Sequence, residues 1–87
     1  MAHFMVVSTF KPGTNMQEVF TVVEEEKAKV KQLQDEGKLG PVRIASPQGK
    51  VFLEVYGESE AEAAATVESL PMAKWWTLEV YTVAATA

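Results

Sequence analysis

Four stretches rich in β-branched and aromatic residues, 3–10, 42–45, 50–56 and 75–83, constrain this chain more than anything else in it. Between the first and second, and again between the third and fourth, lies a segment that opens on a helix-capping pattern. Asn15 is followed three residues later by Glu18, and Ser59 by Glu62. Pro12-Gly13 stops the first strand, Gly37 offers a C-terminal stop to a helix running from Asn15 to Glu36, and Pro71 ends a second helix over 60–70. Ser46-Pro47-Gln48-Gly49 is a turn joining the second and third strands into an antiparallel hairpin. The order is β-α-β-β-α-β. Right-handed crossovers then put both helices on one face of a four-stranded antiparallel sheet, a ferredoxin-like α+β fold. The final residues, 84–87, are expected to fray.

Such a fold leaves one sheet face bare. Phe52, Glu54 and Tyr56 alternate with Val51, Leu53 and Val55, and Thr77, Glu79 and Tyr81 alternate with Trp76, Leu78 and Val80. The purely apolar rows belong against the helices and the mixed rows on the open face. A chain of 87 residues makes one domain, 1–87, and has nothing left to cover that face. Without cysteines it has no disulfides or thiolate metal sites, and one histidine is too few for a multi-histidine metal site. A partner subunit is the remaining source of extra stability, so a homodimer or higher homo-oligomer is expected.

Twelve acidic against eight basic residues, with no basic patch interleaved with aromatics, give no support to nucleic-acid binding. No apolar run approaches the roughly 20 residues that span a bilayer. The first ten residues lack the marks of a signal peptide, so a cytoplasmic location is expected. Nucleotide-binding glycine loops, Ser-His-Asp order, EF-hand spacing and zinc spacing are all missing.

One residue breaks the pattern. With Val19 at zero and about 100° per residue, Val23, Val30 and Leu33 fall within roughly 40° of one line, and Glu26 falls inside that stripe at about −20°. Glu24 and Glu25 fall well outside it, and Lys27 on its shoulder. Two readings of Glu26 stand. A carboxylate in a helix–sheet layer has its pKa raised by desolvation, as a general acid or base near neutral pH requires. Alternatively it is a structural group, paired with Arg43 or Lys27 or reaching past the stripe's edge.

Further candidates are His3, Trp75 and Trp76. His3 suits acid–base work at a pocket or a hydrogen-bonded structural role at a strand start. Trp75 and Trp76 should point to opposite sheet faces, one in the helix–sheet layer and the other at an interface or pocket mouth. Glu54 and Glu79 read as interface residues rather than a glycosidase-like pair.

Several segments together resemble the muconolactone delta-isomerase family of the dimeric α+β-barrel superfamily. They are Glu26-Lys27, Leu33-Gln34 with Glu36-Gly37, Arg43-Ile44-Ala45, Leu70-Pro71 and Leu78-Glu79-Val80. The resemblance implies sheet-to-sheet dimers, a small-molecule substrate, no metal and no organic cofactor, and proton transfer that moves a double bond in an unsaturated acid or lactone. It implies a pocket between helices and sheet, where Glu26 points, and makes Arg43 a candidate anion anchor. Read with the residues themselves, Glu26 is the acid–base candidate, Lys27 an auxiliary charge at the pocket rim, and His3, Trp75 and Trp76 candidate substrate contacts. Ala73-Lys74-Trp75-Trp76 stands where the isomerase has an aromatic-proline-aromatic run, which gives this chain a different rim. The competing functions are a cofactor-free monooxygenase of the same superfamily acting on a polyketide-like aromatic, and a non-catalytic binding or assembly protein.

Overall fold

The computed structural model describes residues 2–84. Met1 and residues 85–87, and so most of the end expected to fray, lie outside the described residues. The strands are β1 (Ala2–Phe10), β2 (Leu39–Ala45), β3 (Lys50–Gly57) and β4 (Trp76–Val83). The helices are α1 (Met16–Phe20), α2 (Val23–Asp35) and α3 (Glu60–Glu68), with short 3-10 turns over Ser46–Gln48 and Pro71–Trp75. The sheet is antiparallel throughout in the order β2-β3-β1-β4, the ferredoxin-like arrangement.

Its two faces divide as strand alternation requires. Phe4, Val6 and Ser8 of β1, Val51, Leu53 and Val55 of β3, and Trp76 of β4 are buried on the helix side. Ala63 and Val67 of α3 close over them, so that α3 covers the middle of the sheet. The opposite face carries His3, Met5, Val7, Phe52, Glu54, Tyr56, Glu79 and Tyr81, aligned across β3, β1 and β4 by the register of the pairs.

Where the expected single helix over 15–36 should run, the chain breaks at Thr21-Val22. The backbone N–H groups of Thr21 and Val22 donate to the carbonyls of Glu18 and Val19, three residues back, and the Thr21 hydroxyl also takes the Glu18 carbonyl. A β-branched run at 19 and 21–23 has low helix propensity, and a hydroxyl that satisfies the local backbone offers an alternative to the helical ladder. The caps are also half of what the spacing suggests. Asn15 accepts from the Gln17 N–H at 2.9 Å, and Glu18 makes no reciprocal bond to it. Ser59 does accept from the Glu62 N–H at 3.1 Å, while the Glu62 carboxylate reaches Glu58 rather than Ser59.

Two other boundaries differ. β2 begins at Leu39, not Val42, because the irregularity at Gly40-Pro41 lets Leu39 pair with Val55 before the regular register resumes at Val42 and Leu53. Trp75 ends the second 3-10 turn, so β4 starts at Trp76.

Leu53 has no exposed surface and sits at the centre of the core. Leu53→Ala is expected to lower unfolding free energy by about 2–5 kcal/mol, read from urea denaturation midpoints at unchanged slope.

Candidate functional site

The apolar stripe of the first helical segment is buried only at its ends, by Val19 in α1 and Leu33 in α2. Its middle, Val23, Glu26 and Val30, is half-buried and lines a cleft, with Val30 also packed against the core. The cleft has a volume of about 940 Å³. Its sheet wall is Val42, Ile44 and Val51, its floor holds Phe10 and Trp76, and Met16 and Phe20 of α1 stand at its mouth. The rings of Phe10 and Trp76 meet edge to face with centroids 6.0 Å apart. Trp76 is only 4% exposed, and its indole N–H has no acceptor among the described residues. An unmade hydrogen bond of this kind costs about 1–3 kcal/mol.

Glu26 is on the cleft wall. Its Oε1 accepts the backbone N–H of Met72 at 2.9 Å. Pro71 opens a 3-10 turn there, and the first N–H groups of such a turn have no partner within it. Burial pushes the Glu26 carboxyl above its ordinary value, and the Met72 bond offsets part of that rise. Glu24, Glu25 and Glu26 all fall in the first turn of α2, where negative charge is favoured by the helix dipole. That also explains why α2 tolerates a carboxylate at this point.

The cleft collects some of the candidate residues and not others. Glu26, Lys27 and Trp76 line it. Lys27 does so with its stem, its ammonium being exposed 4.0 Å from Glu24. Arg43 does not share the cleft with Glu26. It lies between Val42 and Ile44, both of which face the cleft, so alternation turns it to the other face, opposite Phe52. No ion pair joins it to Glu26 among the described residues. His3 is likewise on the open face, its ring edge-on to Tyr56 and its Nδ1 4.0 Å from Glu54. Trp75 stacks beneath the Lys74 ammonium, 4.5 Å from the ring centroid, and is not part of the cleft wall.

Sequence reasoning overlooked Met72, Phe10, Met16, Phe20 and Ile44. The signal for Met72 was Leu70-Pro71, since a proline at the first position of a turn leaves the next N–H free to cap a nearby acid. Ile44 was legible from Val42 by the two-residue period.

The comparisons agree with this architecture. The family model of muconolactone delta-isomerase matches residues 3–86. The chain belongs to that family. Among solved structures it is similar to 5-chloro-2-hydroxyhydroquinone dehydrochlorinase from Burkholderia phenoliruptrix, determined in complex with 2,5-dihydroxybenzoquinone. The two are 19% identical with a TM-score of 0.70, over 97% of this chain and 95% of that one. This likeness shows the fold, an α+β arrangement with a four-stranded antiparallel sheet. A search of curated proteins finds no match. Family membership supports an enzyme that converts a small molecule. Among the described residues no helix is long and apolar enough to cross a membrane.

The raised pKa of Glu26 has a consequence for stability. A carboxyl that binds its proton more tightly when folded favours the folded state below its ordinary value of 4.5. That contribution is lost as pH rises through the higher folded value. Glu26→Gln removes the titration and keeps an oxygen for the Met72 N–H. Its Tm relative to the parent protein is expected to be more favourable at about pH 8 than at about pH 4. Paired thermal melts at the two pH values measure this.

Proposed function

We propose that the chain is a cofactor-independent proton-transfer enzyme, an isomerase or cyclase, acting in the cytoplasm on an unsaturated acid, lactone or related carbonyl compound. The single observation that carries this reading is the half-buried Glu26, on the wall of a cleft of about 940 Å³ with its pKa raised by burial. Glu26 is the base. Its carboxylate takes a proton from a carbon activated by a conjugated carbonyl, and the electron pair left behind spreads into a dienolate. The protonated Glu26, whose acid proton exchanges with solvent, then delivers a proton at the far end of the conjugated system. The double bond moves, and nothing is gained or lost. The Met72 N–H fixes one carboxylate oxygen, so the other is free to face the substrate. Lys27 contributes positive charge at the rim, and Trp76 gives an aromatic surface against which the substrate packs.

Arg43 and His3 take another role in this reading. We assign both to a homodimer interface formed by the open sheet face, with Met5, Val7, Phe52 and Tyr81 as its apolar contacts. Tyr81 is 49% exposed in the single chain.

Two experiments test the two parts. In deuterated water, protein with a β,γ-unsaturated lactone should catalyse isomerisation with deuterium entering the new carbon–hydrogen position, read by NMR. Glu26→Gln should lower kcat by about 10²–10⁴-fold, the usual contribution of a positioned acid–base group. Unchanged turnover in that variant would remove Glu26 from the chemistry, and oxygen uptake with a hydroxyaromatic substrate would put the monooxygenase reading in its place. Light scattering should give about twice the 9.6 kDa chain mass. Val7→Glu, in the middle of the open face, should shift it to a monomer; a monomeric parent protein would end the interface assignment.

A further inference from the structure

The charges around the cleft narrow the substrate class. Four ionisable side chains line it: Glu26, Lys27, Lys31 and Lys50. The three ammonium groups are engaged elsewhere. Lys27 lies 4.0 Å from Glu24 and Lys31 lies 3.5 Å from Asp35, both in exposed pairs on the solvent side of α2. Lys50 donates to the Thr9 hydroxyl at 2.9 Å, on the open face of the sheet. Arg43 is on that face as well. Among the described residues no salt bridge reaches Glu26, the half-buried carboxylate of the cleft, and none of the three ammonium groups is paired with it. A substrate carboxylate placed there would meet a like charge in a poorly hydrated site, an arrangement that costs affinity.

Size and shape add a second constraint. A cleft of about 940 Å³ lies near the top of the range of about 300–1,000 Å³ that holds drug-sized ligands. A single five- or six-membered ring would leave most of it empty. The mouth is apolar and bare: Phe20 is 64% exposed and Ile44 71%, although both face the cleft from opposite sides. Large apolar side chains exposed together at a pocket rim mark a surface that a ligand covers. Glu26 lines the same cleft as both of them, and the edge-on Phe10–Trp76 floor suits a flat ring.

We propose that the cleft takes an uncharged, apolar substrate of at least two linked or fused rings, held at its far end by Phe20 and Ile44. This rests on the proton-transfer reading for its chemistry, and it narrows that reading from acids to neutral lactones and ketones of larger size. Phe20 and Ile44 determine specificity and take no part in the proton transfer.

The test is binding, which does not depend on turnover. The full chain is titrated with the neutral dye N-phenyl-1-naphthylamine and with the anionic dye 1-anilinonaphthalene-8-sulfonate, following fluorescence. The neutral dye is expected to bind about tenfold tighter or better. The double variant Phe20→Ala with Ile44→Ala, whose exposed positions leave the core intact, is expected to weaken it by about tenfold or more. Glu26→Gln is expected to leave neutral-dye affinity within about twofold and to tighten the anion, because it removes the like charge. Equal or tighter binding of the anion by the parent protein would overturn the proposal. So would neutral-dye binding by the double variant within about twofold of the parent. A double variant that changes oligomer mass instead of dye affinity would also overturn it, and would mark the mouth as a contact between copies of the chain. If the dyes behave as expected while Glu26→Gln keeps full turnover, the ligand class stands and the proton-transfer reading falls. The reverse pair of results separates the two in the other direction.

Discussion

The hydrogen bond from the Met72 N–H to the Glu26 carboxylate ties α2 to the turn before β4, two elements 46 residues apart in sequence. On either side of that tie the helical segments are fixed by ordinary burial, at Val19 and at Leu33. Between those anchors the stripe lines the cleft with Val23, Glu26 and Val30, of which Val30 also packs against the core. A buried acid needs a donor, and the 3-10 turn at Pro71 supplies one without closing the cavity with a second side chain. Helix placement, cleft volume and the raised pKa of Glu26 are therefore linked: filling the cleft would bury the acid further, and removing the acid would leave a turn N–H unpaired.

The sheet separates the two tasks of so small a chain. One face, under α3, provides nearly all of the apolar core, with Val6, Leu53 and Val55 fully buried. The other is left with polar and aromatic rows in which Tyr56 bonds Glu54 at 3.2 Å and Tyr81 bonds Glu79 at 2.8 Å. The Glu79 bond and the adjacent charge raise the Tyr81 pKa, while Tyr56 is raised first by burial and then by Glu54. A face of this composition holds its polar groups in internal pairs, which lowers the desolvation cost of covering it. Arg43 belongs to this side of the sheet, so no guanidinium stands beside the acid in the cleft.

Much of this was legible in the residues. The alternation in 50–56 and 76–81 correctly divided the sheet faces, and the 100° periodicity singled out Glu26 from its two neighbours, which the structure leaves exposed. Capping patterns at Asn15 and Ser59 located helix starts, though the reciprocal bonds they suggested did not form as drawn. What periodicity missed were places where local chemistry overrides it. The break at Thr21 comes from a hydroxyl and β-branched neighbours, and the early start of β2 from an irregularity that absorbs Gly40-Pro41. Arg43 was judged by its chemistry rather than by its place between Val42 and Ile44, and that place decides which face it occupies. The donor to Glu26 is a main-chain group, and a side-chain pattern does not register it.

Direct titration of the Glu26 carboxyl addresses the central claim, that a ligand cavity and a perturbed acid are one site. Carbon-13 NMR of glutamate-labelled protein, with the signal assigned by its loss in Glu26→Gln, follows that group with and without a neutral aromatic dye in the cleft. The account predicts that Glu26 titrates above the ordinary glutamate value of 4.5, and that filling the cleft moves it higher still by displacing water from the carboxylate. Titration at or below that value, unaffected by the dye, would contradict it.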